Sequence, residues 1–180
     1  MPLLTEHERV PDITLGMLAE IVVHLPESDR NFVWFLVLSG CRIGEYLRLT
    51  RAPLKPQIFG IDVPGTKTSG SRRQIYIAPS AWGIVDALVP CDHQYGQLRR
   101  LWRDACGAVG VSGVTLHDLR HVGGQTAADA GMPLSAIKDH LGHATIAMAE
   151  RSVRRPPLKE GAALLGGVLA PHLEASVDRK

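Results

Sequence analysis

An α+β domain, mostly helical with one small antiparallel sheet, is what this sequence predicts. Three observations carry the prediction. Apolar residues recur at helical spacing through most of the chain. The period changes to two in one stretch only, between Gln57 and Ile77. And the 180 residues, 45% of them apolar, suffice for one domain with a substantial core.

Residues 1–12 read as a linker, 13–158 as the domain and 159–180 as a C-terminal tail or helix. From Thr14, apolar residues at Leu15, Leu18, Ile21, Val22 and Leu25 form a helical stripe, which Pro26 ends. Ser28 or Asp29 is placed to cap the next helix. That helix runs to about Leu38 and is apolar nearly all round, so it belongs at the buried centre. Gly40 breaks it, and a shorter helix is expected over Ile43 to Leu49. Gln57–Val63 and Arg72–Ile77 alternate as strands around PGTKTSGS, which gives a β-hairpin with a basic loop at its tip. Further helices are expected at about 80–88, 95–109, 117–130, 134–140 and 144–153. Gly131 followed by Pro133 marks a stop and restart. A final apolar segment spans Lys159 to Leu169.

The composition excludes several classes. The longest apolar run, Phe32 to Leu38, is too short to span a membrane as a helix. The N-terminus lacks a signal-peptide pattern. Cys41, Cys91 and Cys106 are an odd set without CxxC spacing, which fits a reducing cytosol better than a disulfide framework. A cytoplasmic protein is expected. Net charge is only +2, but the cations are bunched: Arg48, Arg51 and Lys55; Lys67, Arg72 and Arg73; Arg99, Arg100 and Arg103; Arg151, Arg154 and Arg155. Singly, each cluster reads as a solvated face. Together they can form one positive surface for nucleic acid.

Four short stretches can carry chemistry. In GCRIGE, Arg42 follows the end of the buried helix, and its guanidinium can fork onto a phosphate or carboxylate. Glu45 at i+3 can hold it, and a plain surface ion pair is the alternative. Lys67, at the hairpin tip, can reach into a groove or give a proton, or can be an ordinary turn lysine. In TLHDLRH, His117 and Arg120 share a face near a helix N-terminus, the end that favours anions. His121 lies one turn from His117. In LGH, Gly142 closes one helix and His143 opens the next. His117, His121, His140 and His143 raise a metal reading through HxxxH spacing. Against it, there is no HExxH, no carboxylate stands at the general-base position, and Arg120 would set a fixed cation beside the metal. No metal site and no cofactor are expected.

GCRIGEYLRL, GTKTSGSRRQIYI, TLHDLRH and LGHATIAM, in this order, resemble the catalytic domain of tyrosine recombinases, the phage-integrase family, over about residues 12 to 155. The resemblance implies a mostly helical domain with a small antiparallel sheet. It also implies an active-site set at Arg42, Lys67, His117, Arg120 and His143, and a duplex DNA partner also touched by Arg72, Arg73, Arg151 and Arg154. Arg42 and Arg120 would clamp the scissile phosphate. His117 would act as acid and base, Lys67 would protonate the leaving 5′ oxygen, and His143 would add a hydrogen bond. A bacterial or phage origin follows from the same likeness. So does a C-terminal segment exchanged between protomers on DNA, with a helix docked on its own domain as the alternative. Relatives commonly carry an N-terminal domain that completes a clamp around DNA. Here about a dozen residues precede the first helix, so either the chain is a fragment or it lacks half the clamp, and weaker, less sequence-specific binding than a full-length relative's is expected.

The pattern departs from the family at its nucleophile. The tyrosine is due about nine residues after the LGH histidine, and that position is Ser152. Tyr46, Tyr76 and Tyr95 do not match the motif, and no tyrosine follows them. The sequence therefore suggests a DNA-binding module that does not cut: a natural integrase-derived regulator or repressor, or a nucleophile mutant. The alternatives are an active recombinase in which Ser152 or an unexpected tyrosine attacks, and a metal-dependent hydrolase built on the histidines.

Overall fold

The computed structural model describes residues 13–64, 72–142, 165–167 and 169–170. Helix α1, Leu15–Val22, starts where the Thr14 hydroxyl accepts from the Met17 N–H at 3.2 Å, and it buries Leu18, Ile21 and Val22. Asp29 stands at the N-cap of the next helix, as expected, but its side chain makes no capping bond. Glu27–Asp29 forms a 3-10 turn leading into that helix, α2, Arg30–Ser39. The Asp29 carboxylate is engaged elsewhere, 2.6 Å from His93 Nε2.

Helix α2 is the centre of the core, with every residue from Phe32 to Ser39 buried. It packs on α4, Trp82–Leu88, and on α6, Asp118–Asp129. Gly123 permits the second crossing, since a Cβ there would lie 2.2 Å from the Val37 carbonyl oxygen. Gly40 ends α2 in the left-handed region at φ 58°. Helix α3, Ile43–Tyr46, follows and is shorter than expected. Helix α5, Tyr95–Ala108, packs on α1.

The sheet has three antiparallel strands in the order β1, β2, β3: Leu54–Lys55, Gly60–Val63 and Arg73–Tyr76. The hairpin is as expected, with Ile61 opposite Ile75 and Val63 opposite Arg73. Its first strand begins later than the alternation suggests. Pro56 opens a 3-10 turn, and Phe59 at φ 52° turns the chain before Gly60. Strand β1, between Pro53 and Pro56, is too short to alternate visibly.

After α6, Gly131 and Pro133 stop and restart the chain into α7, Leu134–Leu141, which leans on α6 and β3. In the C-terminal segment, Leu165 and Leu169 join this chain's own core. A Cβ on Gly166 would collide with Ala78, so this helical piece sits close against the residues after β3. For these two leucines the structure therefore favours docking within the chain. Among the described residues no helix is long and apolar enough to cross a membrane. The expected helix at 144–153 lies outside the described residues.

Candidate phosphate-binding site

The site is built around the end of α2. Gly40 turns its carbonyl oxygen toward α6, where Arg120 Nη1 donates to it. Arg120 lies one turn into α6, and packing of that helix on α2 carries its guanidinium into the core, 1% exposed. Its Nη2 is buried and has no hydrogen-bond partner among the described residues. Desolvation, with the nearby charges of Arg42 and Arg73, lowers its pKa to about 10, so it stays charged at neutral pH.

Arg42 stands at the start of α3, two residues beyond Gly40. Glu45, wholly buried, binds it twice: Oε2 accepts the Arg42 N–H at 2.8 Å, and Oε1 accepts from Nη1 at 2.9 Å. The side chain of Arg42 remains 39% exposed. Burial pushes the Glu45 carboxyl upward, but hydrogen bonds from Arg73 and Arg42 and the Arg73 charge outweigh it and hold the group below the usual range. Glu45 is thus a carboxylate bonded to two guanidiniums, with the charge of Arg120 nearby. The balance is positive, which suits an anion.

His117 is the residue before α6, with its ring edge-on to His121, centroids 5.1 Å apart. Desolvation lowers its pKa, with His121, Arg120 and Arg42 adding and Asp118 opposing. The neutral imidazole is therefore favoured, the form able to take a proton. The start of the helix is fixed by Asp118, whose Oδ2 accepts from the Thr115 N–H at 2.6 Å and from its hydroxyl at 2.9 Å.

Of the residues expected from sequence, Arg42, His117 and Arg120 are brought together. Lys67, His143, Arg151, Ser152 and Arg154 lie outside the described residues. Arg72 is exposed. Arg73 corrects the expectation that it faces DNA. Its side chain is 6% exposed and spans Glu45, Gly40 and the His140 carbonyl. Alternation carried the signal, because Arg73 shares a strand face with the buried Ile75 and Ile77. The sequence reading also placed His140 among candidate metal ligands. Its ring is buried, and Nε2 donates to the Leu38 carbonyl at 2.9 Å. Among the described residues, no three of His, Cys, Asp and Glu form a group able to hold a metal. Cys41 lies buried nearby, and burial pushes its thiol up, so it adds no negative charge.

His140 makes stability depend on pH. Burial, with the Arg73 and Arg120 charges adding and the Leu38 bond opposing, lowers its pKa from 6.5 to about 4. The unfolded chain then takes the proton more readily. Stability is full above the unfolded pKa and is lost as pH falls from about 6.5 toward about 4, by roughly 2 kcal/mol at pH 5. Urea unfolding at pH 7.5 and pH 5 reads this directly. His140→Gln, whose amide can still donate to Leu38, is expected to flatten the slope. Equal slopes in the two proteins would refute the assignment.

No family model matches the chain, and no curated protein does. Solved structures do. The integrase from mycobacterium phage Brujita matches with a TM-score of 0.69 at 16% identity, over 89% of this chain and 60% of that one. The Tn1549 transposon integrase, in complex with circular intermediate DNA, matches with a TM-score of 0.65 at 16% identity, over 81% of this chain and 63% of that one. XerA recombinase matches with a TM-score of 0.58 at 20% identity, over 91% of this chain and 66% of that one. The chain spans about three-fifths of the length of the integrases. At such identities the likeness is one of architecture: the protein has the mostly helical fold with a small antiparallel sheet seen in these integrases and this recombinase.

Proposed function

We propose that this protein binds duplex DNA by gripping a backbone phosphate between Arg42 and Arg120, and that it holds the strand without cutting it. One observation carries the reading. Arg120 is a buried, charged guanidinium with Nη1 anchored on Gly40 and Nη2 without a partner among the described residues. A buried cationic donor is costly unless it meets an acceptor. A phosphate oxygen supplies both the charge and the acceptor, and Arg42 beside it can take a second oxygen. The DNA-bound integrase among the structural neighbours supports the same ligand.

In this reading Lys67 and His143 complete the polar set around the phosphate, and His117 waits as a neutral base. Arg72, Arg151 and Arg154 bind flanking phosphates. With Ser152 at the nucleophile position, the protein serves as an integrase-derived regulator or repressor, or is a nucleophile variant of a recombinase. Assembly of copies on DNA, through residues of the C-terminal segment other than the core leucines Leu165 and Leu169, belongs to the same proposal.

Binding to a short duplex should fall log-linearly with salt, because phosphate contacts release counterions. Arg42→Ala should weaken it by about tenfold or more, the loss of a charge-assisted bond. Arg120→Ala should act in the same direction. Absent binding, or affinity that stays flat from low to moderate salt, would refute the proposal.

A further inference from the structure

We propose that Arg73 is the positioning residue of this site, holding Arg42 in place through Glu45 and Arg120 through the Gly40 carbonyl, without touching the phosphate itself. The inference rests on the phosphate reading above and adds to it a residue from the sheet.

The geometry is specific. Arg73 Nε donates to the His140 carbonyl at 2.9 Å, Nη1 to Glu45 Oε1 at 3.2 Å, and Nη2 to Glu45 Oε2 at 2.9 Å and to Gly40 O at 3.4 Å. Four bonds to three groups nearly exhaust its five N–H donors. Its side chain, 6% exposed, is turned to these groups rather than to solvent. One side chain from β3 thus ties together the end of α2, the start of α3 and the end of α7. Gly142 closes the last of these, and a Cβ there would come within 2.8 Å of Arg73 Cδ.

Glu45 shows what this does for Arg42. Each carboxylate oxygen accepts one bond from Arg42 and one from Arg73. With both oxygens shared, Glu45 holds the Arg42 guanidinium by one nitrogen only. The remaining side-chain donors of Arg42 have no partner among the described residues, and the side chain is 39% exposed. Without Arg73 the carboxylate would be free to take Arg42 two-pronged, turning its fork inward and away from a phosphate. At Gly40 the same carbonyl accepts from Arg73 and from Arg120, so the anchor of the second clamping residue is fixed from the sheet side too. Lysine cannot substitute. It offers one nitrogen where the site needs a planar fork reaching three groups.

The test uses the full chain with Arg73→Lys, Arg42→Ala and the double variant. Affinity for a short duplex is measured in a double-variant cycle, and the titration of the His117 ring is followed by NMR without DNA. His117 senses Arg120 and Arg42, and Arg73→Lys keeps a positive charge at position 73. A shift there therefore reports displacement of the clamp. Arg73→Lys is expected to lose about tenfold in affinity, the scale of one charge-assisted bond. The double variant should lose less than the sum of the two single losses. The His117 pKa should rise toward its ordinary value as Arg42 withdraws. A folded Arg73→Lys protein with unchanged affinity and unchanged His117 titration overturns the proposal, leaving Arg73 a purely structural residue. Fully additive losses overturn it as well, because Arg73 would then bind phosphate itself. If the unmodified chain binds no duplex but the His117 titration still moves, the DNA reading fails and the positioning role stands. Should Arg73→Lys not fold, Glu45→Gln, which releases Arg42 but keeps the bonds of Arg73 to His140 and Gly40, is read by the same two measurements.

Discussion

Incubated with a nicked suicide DNA duplex, this protein is expected to leave the strand intact and to show no covalent adduct on a denaturing gel. The reason lies in reach and acidity. Nine residues after His143 the chain carries Ser152 where the resembled family has its tyrosine. A serine hydroxyl sits several ångströms closer to its own backbone than a phenol does. An attacking atom must come within ~3–3.5 Å of its target, and ~1 Å of misplacement can cost ~10²-fold. A phenol also ionises near pKa ~10, which an unassisted serine does not approach. Ser152→Tyr should restore some 3′-phosphotyrosine linkage if, as proposed, Arg42 and Arg120 grip the phosphate, because the same clamp would serve a charged transition state. Ser152→Phe, with the ring but no hydroxyl, should not. Restoration is expected to be partial, because Ala149 and Glu150 also differ from the family's usual run. Strand cleavage by the unmodified chain would overturn the binding-only reading.

What the sequence made legible here were local relations. Arg42 and Glu45 are i and i+3, and the structure pairs them at 2.9 Å. His117 and Arg120 were placed together at the start of α6, and they lie there. Gly40 was legible as a helix stop. Its second role, a carbonyl shared by two guanidiniums, was not, because those arginines come from strands and helices distant in sequence. His140 looked like a ligand beside His143 because spacing shows chain neighbours. Its actual partner, Leu38, is 102 residues away and follows from how α7 meets α2. Arg73 was read by its charge and its neighbours in a basic loop. The strand period that turns it inward is present in the sequence, but a buried arginine becomes plausible only once a buried carboxylate is known to face it.

Replacing Glu45 by alanine is expected to cost about 3–5 kcal/mol of stability at neutral pH, the range for stranding a buried charge. Arg73 would keep two backbone acceptors but lose its counter-ion, and the Arg42 N–H would lose its cap. The sign of the pH effect follows from the lowered carboxyl pKa. Glu45 binds its proton less readily folded than unfolded, so its stabilisation is present above the ordinary value of 4.5 and is lost as pH falls through the folded value. Urea unfolding should therefore separate Glu45→Ala from the unmodified chain at neutral pH, with the gap narrowing in acid. Removing both charges, as Glu45→Leu with Arg73→Met, should recover part of the loss, because no buried ion is then left unpaired. It should not recover DNA affinity, since Arg42 would no longer be held. A cost below about 1 kcal/mol for Glu45→Ala, or a double variant as strongly destabilised as the single one, would show that the pair is not the buried keystone its geometry describes.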